Sequence, residues 1–93
     1  MAQHVVFVMS ETTARITPDA FRVRLEQSRF PVRSERLAGD EVELAIEGGL
    51  TLWLFVEGGY VAEVEGQLTF ANDRRSNLLL ELIEAMGFVP AEV

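Results

Sequence analysis

The sequence contains neither cysteine nor lysine, and all eight of its basic residues are arginines. The absence of cysteine excludes disulfides, thiolate zinc sites and a thiol nucleophile. The absence of lysine excludes the phosphate-binding lysine of a P-loop and a serine–lysine dyad. Stability must therefore come from a hydrophobic core, and several common catalytic classes are ruled out.

Long apolar runs are also absent. Nothing approaches the roughly 18–20 apolar residues that a membrane-spanning helix needs. The first ten residues carry no Lys or Arg, and their apolar stretch, 5–9, is too short for the core of a signal peptide. We therefore expect a cytoplasmic protein that does not bind a membrane.

Residues that could perform catalysis are few. The single histidine, His4, has no acid or nucleophile near it in the sequence, and no His-x-x-x-His pair is present. The serines lie in no Gly-x-Ser-x-Gly motif. We expect no metal site, no cofactor and no catalytic residue, so the chain is not expected to be an enzyme.

The net charge is −7, and it is unevenly distributed. Residues 1–39 contain six arginines and four acids, whereas residues 40–93 contain two arginines and eleven acids. An acidic chain is unsuited to nucleic acids, which bind basic patches. The charge favours a basic protein partner, although a simpler interpretation is that it keeps a small protein soluble.

The length of 93 residues predicts one domain, 1–93. Residues 4–9 are apolar on both faces, which indicates a central or covered strand. Thr17-Pro18-Asp19 is a typical helix start, so we predict a helix over 18–29. The alternation of apolar and charged residues from Phe21 to Glu26 also fits a strand, but the start signal favours the helix.

The middle of the chain predicts an antiparallel meander. Apolar residues at 42, 44 and 46 alternate with glutamates, as in a strand with one buried face. Gly48-Gly49 predicts a two-residue hairpin turn and Gly58-Gly59 a second hairpin turn. Gly39 predicts a turn, and Gly66 predicts a bulge or turn. The expected strands are 32–37, 41–47, 50–56, 60–65 and a short extension at 68–70.

A last helix is expected from a cap at Asn72 or Asp73 to Met86, ending at Gly87. The tail, 89–93, is expected to be loose. The predicted fold is α+β, in the order β-α-β-β-β-β-α. Its sheet is mostly antiparallel, with four to five strands and both helices packed on one face.

Trp53 and Phe55 are the first departure from a simple pattern. If the register is regular, they share a face with the glutamates of the neighbouring strands, Glu41, Glu43, Glu47, Glu63 and Glu65. Aromatic side chains on a wet face usually mark a contact site. Alternatively, the aromatic residues are covered by other elements, and the glutamates form an ordinary solvated face. A divalent cation site or carboxylate catalysis is less favoured.

The preferred hypothesis is a non-enzymatic protein-interaction or regulatory module. Its interaction surface comprises Trp53, Phe55, Glu43, Glu63 and Glu65. The partner is expected to be a basic protein or a second copy in a homodimer. An inhibitor or immunity-type protein that blocks a basic target would be one instance.

Arg74-Arg75 is the second departure, because cations in the first turn of a helix oppose its dipole. The alternative function is therefore a small-ligand or anion-binding domain. Its site would be Asn72, Arg74 and Arg75 at the N-terminus of the last helix. The simpler interpretation is that these arginines pair with nearby glutamates.

Overall fold

A computed structural model of the chain describes residues 3–10, 15–68 and 74–91. These residues form an α+β fold with two helices and six strands. In chain order the elements are β1 (Gln3–Met9), α1 (Pro18–Gln27), β2 (Val32–Ala38), β3 (Glu41–Ile46), β4 (Leu50–Glu57), β5 (Tyr60–Leu68), α2 (Arg74–Ala85) and β6 (Phe88–Pro90).

The six strands form one sheet in the order β2-β3-β4-β5-β1-β6, and each recorded pairing is antiparallel. The meander predicted for the middle of the chain is confirmed as β2 to β5. β1 pairs with β5 on one side and with β6 on the other, which agrees with the central position that its apolar faces indicated.

The prediction of four to five strands is wrong, because the sheet has six. The additional strand is β6, which includes Val89 and Pro90 of the tail that we expected to be loose. It pairs with β1 through Phe7–Pro90, Val8–Val89 and Met9–Phe88. Three residues are too few to show a strand periodicity, so this pairing depends on where the chain leaves α2.

The helix predicted from Thr17-Pro18-Asp19 is confirmed as α1, and the strand alternative is wrong. The Thr17 Oγ1 atom accepts a hydrogen bond from the Ala20 N–H at 3.1 Å, which caps the helix. Phe21 and Leu25 lie one turn apart and are fully buried. The Arg22 and Glu26 side chains form an ion pair at 3.3 Å on the outer side.

The glycine turns follow the backbone angles that the hairpins need. Gly58 and Gly59 form a two-residue loop with φ of 62° and 85°, as expected for a primed turn. The hairpin at Gly48-Gly49 is confirmed, but its predicted two-residue length is wrong, since Glu47, Gly48 and Gly49 separate the paired residues Ile46 and Leu50.

The prediction of a bulge or turn at Gly66 is wrong. Gly66 lies in a regular part of β5 and pairs with Leu52 on one side and Val5 on the other. The register shift lies between Phe55 and Val56 instead. A Cβ atom on Gly66 would lie 3.0 Å from Leu52 Cδ2 and 3.1 Å from Val5 Cγ2. Glycine is therefore needed for close packing and not for a turn.

One hydrophobic core contains alternate side chains of the strands together with the buried residues of both helices. Phe21 of α1 contacts Phe88 of β6 edge to face, with ring centroids 6.0 Å apart. The placement of both helices on the same face of the sheet stays a prediction. The strand extension at 69–70 and the cap at Asn72 or Asp73 lie outside the described residues.

α2 ends at Ala85 and is followed by Gly87 with φ of 100°, which confirms the predicted helix end. Neither described helix has both the length and the apolar composition needed to cross a bilayer.

Candidate functional site

Trp53 and Phe55 share a sheet face with glutamates, and the register defines their neighbours. Trp53 pairs with Glu43 of β3 and Glu65 of β5. Phe55 pairs with Glu41 and Glu63 on the same two strands. Directly opposite side chains have Cβ atoms about 4.5–5.5 Å apart, so each aromatic ring lies between two carboxylates. We call this surface the aromatic–acidic face; it comprises Trp53, Phe55, Glu41, Glu43, Glu63 and Glu65.

The two faces of the central strands differ in burial. Leu44, Leu52 and Leu54 are fully buried, whereas all six residues of the aromatic–acidic face keep intermediate exposure. A residue of intermediate exposure is neither sealed in the core nor free in solvent. The aromatic rings are therefore accessible in part, which is the condition for a contact surface.

The side chain of Trp53 is held by a neighbouring glutamate. Its indole Nε1–H donates a hydrogen bond to Glu43 Oε1 at 3.0 Å, in a partly buried position. This bond satisfies the only polar group of the indole and orients the ring edge toward β3. The same bond limits the motion of the Glu43 carboxylate. The side chains of Trp53 and Glu43 are thus held in place by a hydrogen bond within the face itself.

The carboxylates of this face form no salt bridge with the described residues of the protein. In residues 3–10, 15–68 and 74–91, no arginine forms an ion pair with Glu41, Glu43, Glu63 or Glu65. Arg36 of β2 pairs with Glu43 in the strand register, but without a salt bridge. Four partly exposed carboxylates beside two aromatic rings produce a negative potential over an apolar centre.

The sequence did not identify Val6 and Val8 as part of this surface. Val6 pairs with Glu65 and Val8 with Glu63, so both continue the two rows of the face onto β1. Both are partly exposed. The signal was present in the two-sided apolar pattern of β1, which has more apolar residues than one buried face requires.

The proposed anion site is only partly described, because Asn72 lies outside the described residues. Arg74 is exposed at the first position of α2. The Arg75 Nη2–H donates a hydrogen bond to the Glu47 carbonyl oxygen at 3.2 Å, and its Cζ atom lies 4.8 Å from the Phe30 ring centroid. Arg75 thereby links α2 to the turn between β3 and β4. The anion site stays a prediction.

A further question is whether any described residues could bind a metal ion. Among these residues, no three His, Asp or Glu side chains come together in a way that could hold a metal ion. His4 is exposed at the start of β1.

The strand at one edge of the sheet is unsuited to pairing with another strand. β2 carries Arg33, Glu35 and Arg36, all exposed. Glu35 pairs with Leu44, which is fully buried, so a charge occupies a position whose neighbours face the core. Exposed charged side chains on an edge strand oppose sheet extension.

The fold places the chain in the α+β class with an antiparallel sheet, and its best-defined surface is the aromatic–acidic face. No family model, curated protein or solved structure matches this chain. Function is therefore inferred from the geometry and charge of that face.

Proposed function

We propose that this chain is a non-enzymatic protein-interaction module whose aromatic–acidic face binds a basic segment of another protein. The observation that carries the proposal is the strand register, which sets Trp53 and Phe55 each between two glutamates on a partly exposed surface. An inhibitor or immunity-type protein that covers a basic target belongs to this class.

Arginine is the side chain that fits such a surface best. Its guanidinium stacks on an aromatic ring and can bond a carboxylate through two parallel N–H donors. Trp53 is flanked by Glu43 and Glu65, so both contacts are available at one place. Stacking a cation on a partly desolvated indole contributes about 0.5–2 kcal/mol.

The spacing of the carboxylates suits an extended segment. The two rows of the face are about 6.6 Å apart along a strand, which equals the repeat of alternate residues in an extended chain. The glutamates within one row are about 10 Å apart, since two interstrand spacings separate β3 from β5. A segment with arginine at alternate positions, lying along β4, matches both dimensions.

Charge argues against a second copy as the occupant of this particular face. Pairing two aromatic–acidic faces would bring eight carboxylates together, four from each copy. Like charges across an interface are strongly unfavourable. The same charges speed the approach of a basic partner and make its binding sensitive to salt.

Trp53 is the only tryptophan of the chain, so its fluorescence reports on this face directly. The test is a titration with a synthetic peptide of alternating arginine and serine, followed by tryptophan emission and by calorimetry at low and high salt. We expect binding that Trp53→Ala weakens by about two- to thirtyfold in the calorimetric assay, as the loss of a stacked cation implies. Glu63→Gln/Glu65→Gln should weaken it by about tenfold or more, since each carboxylate–guanidinium contact is charge-assisted.

The matched control is Asp19→Asn/Glu84→Gln, which removes the same charge from exposed positions on the two helices, outside the aromatic–acidic face. If the control weakens binding as much as the variant on the face, the peptide responds only to net charge and the proposal fails. Binding that Trp53→Ala leaves unchanged would also contradict it.

A further inference from the structure

A second surface lies beside α2 and uses none of the residues of the aromatic–acidic face. A groove of about 500 Å³ runs between the end of α1 and the outer side of α2. Its lining on α2 includes Arg75, Leu78, Glu81, Leu82 and Ala85. Leu78 is 47% exposed, although leucine at a helix surface normally lies against other apolar groups.

Five residues of α2 form one stripe away from its buried side, and four of them are exposed while Leu82 is half-buried. At 100° per residue, the buried positions Ser76, Leu79 and Ile83 point toward the core. Residues 74, 78, 81, 82 and 85 fall together on another side of the helix. We call this set the α2 stripe: Arg74, Leu78, Glu81, Leu82 and Ala85.

The charges on α2 run against its own dipole at both ends. Its first turn has no acidic residue and begins with Arg74 and Arg75, and its last turn has no basic residue. Glu81 and Glu84 lie in the second half instead. A helix dipole favours acids at the N-terminus and bases at the C-terminus, so residues 74–85 themselves do not complement the dipole at either end.

An antiparallel second copy of the same helix reverses this disadvantage. Arg74 lies four residues before Leu78, and Glu81 lies three residues after it. At a rise of about 1.5 Å per residue, these positions lie about 6 Å and 4.5 Å on opposite sides of Leu78. A two-fold axis at Leu78 therefore brings Arg74 of each copy level with Glu81 of the other, and the helix dipoles align antiparallel.

Within the described residues, Arg74 and Glu81 have no ion-pair partner that would compete with this arrangement. Both side chains are exposed. Leu78 lies between them and Leu82 lies one turn after Leu78, so the two leucines supply an apolar centre, as the core of a small interface requires. Charge complementarity and the exposed leucine thus point to the same occupant.

We propose that two copies of this chain associate through the α2 stripe, with the helices antiparallel and Leu78 at the two-fold axis. Arg74 of each copy pairs with Glu81 of the other. The dimer leaves both aromatic–acidic faces outside its interface, so it presents two binding surfaces to a basic partner. This association does not depend on the proposed function, because it uses different residues.

The test is sedimentation of the full chain over a dilution series. We expect a dimer for the wild type, and Leu78→Asp should raise its dissociation constant by about tenfold or more, as for the loss of a central apolar anchor. The matched control is Leu37→Asp on β2, since Leu37 is 74% exposed and lies outside the α2 stripe. The control should keep the wild-type dissociation constant, and circular dichroism should confirm that both variants fold.

A charge exchange provides the second arm of the test. Arg74→Glu and Glu81→Arg should each weaken the dimer, because like charges then meet across the two-fold axis. The double variant Arg74→Glu/Glu81→Arg should restore it. A monomeric wild type, an equal effect of Leu37→Asp, or a double variant no better than the single ones would overturn the proposal.

Discussion

The two faces of the central strands come from alternate residues of the same strands, yet they differ in burial and in composition. On the core face, Leu44, Leu52 and Leu54 are fully buried by other elements. On the aromatic–acidic face, the intervening residues Glu43, Trp53 and Phe55 remain partly exposed. The core face is what any half-buried sheet needs, whereas the other face combines large apolar rings with carboxylates that form no salt bridge with the described residues.

This difference separates the residues that hold the fold from those available for binding. Burial of the core face accounts for most of the apolar area removed from water, which is the main favourable contribution to folding. A solvated face needs only polar side chains to be stable. Trp53 and Phe55 are large apolar side chains that a solvated face does not require. Residues that depart from the local pattern in this way are candidates for function.

The largest expected effect compares two neighbours in β4. Leu54→Ala should lower the free energy of unfolding by about 2–5 kcal/mol, because it leaves a cavity in a sealed core. Phe55→Ala should cost roughly half of that or less, since its ring is already partly in water. Urea denaturation measures both. Equal losses would mean that Phe55 is as buried as Leu54 and that the two faces do not differ as described.

The next effect concerns how tightly the core face is packed. Gly66→Ala should lower the free energy of unfolding by about 1–3 kcal/mol, because its new methyl group lies 3.0 Å from Leu52 Cδ2 and 3.1 Å from Val5 Cγ2 and both side chains must shift. Thr51→Ala, at a partly exposed position on the opposite face, is the control and should change stability by about 0.5 kcal/mol or less. An unchanged free energy of unfolding in Gly66→Ala would show that the Leu52 and Val5 side chains can shift without cost.

A smaller effect tests the bond that orders the aromatic–acidic face. Glu43→Ala should cost about 0.5–1.5 kcal/mol, because the partly buried indole N–H of Trp53 loses its acceptor. Glu43→Gln keeps an amide oxygen as acceptor and should cost less. Urea denaturation compares the two variants, and the emission of Trp53 should shift only in the alanine variant. Identical losses would assign the effect to charge and not to the hydrogen bond.

The smallest effect has the opposite sign. Glu63→Gln/Glu65→Gln should raise the free energy of unfolding by a few tenths of a kcal/mol at low salt, because repulsion among unpaired surface carboxylates is relieved. High salt should remove the gain by screening. Unfolding measured at both ionic strengths tests this, and a loss of stability at low salt would mean that these carboxylates have stabilising partners.

Much of the fold could be predicted because its signals are local. The alternation from Val42 to Ile46, the glycine pair at 58–59 and the start at Thr17-Pro18 each depend on residues within a few positions of one another. The composition of the candidate site was also predictable, since a regular register necessarily puts Trp53 and Phe55 beside glutamates. That register is confirmed by the pairing of β3, β4 and β5.

The errors concern contacts between residues distant in the chain. Gly66 resembles a turn residue, but it is small because Leu52 and Val5 approach it from two other strands. Phe88–Pro90 is too short to show a strand periodicity. It becomes a strand because the chain, on leaving α2, lies beside the edge of β1 that does not pair with β5. The sequence showed that Arg75 stands unfavourably at a helix N-terminus. It did not show that this side chain contacts the Glu47 carbonyl and the Phe30 ring.

The sequence by itself determined the α+β class, the turns of the meander, the helix start at Thr17 and the acidic character of one sheet face. These follow from backbone preferences and side-chain alternation, which act over one to four residues. Only the tertiary structure decided the sixth strand, the strand order, the role of Gly66 and the partial exposure of the aromatic rings. Those depend on which distant surfaces meet, because burial and pairing are properties of the packed chain and not of any segment within it.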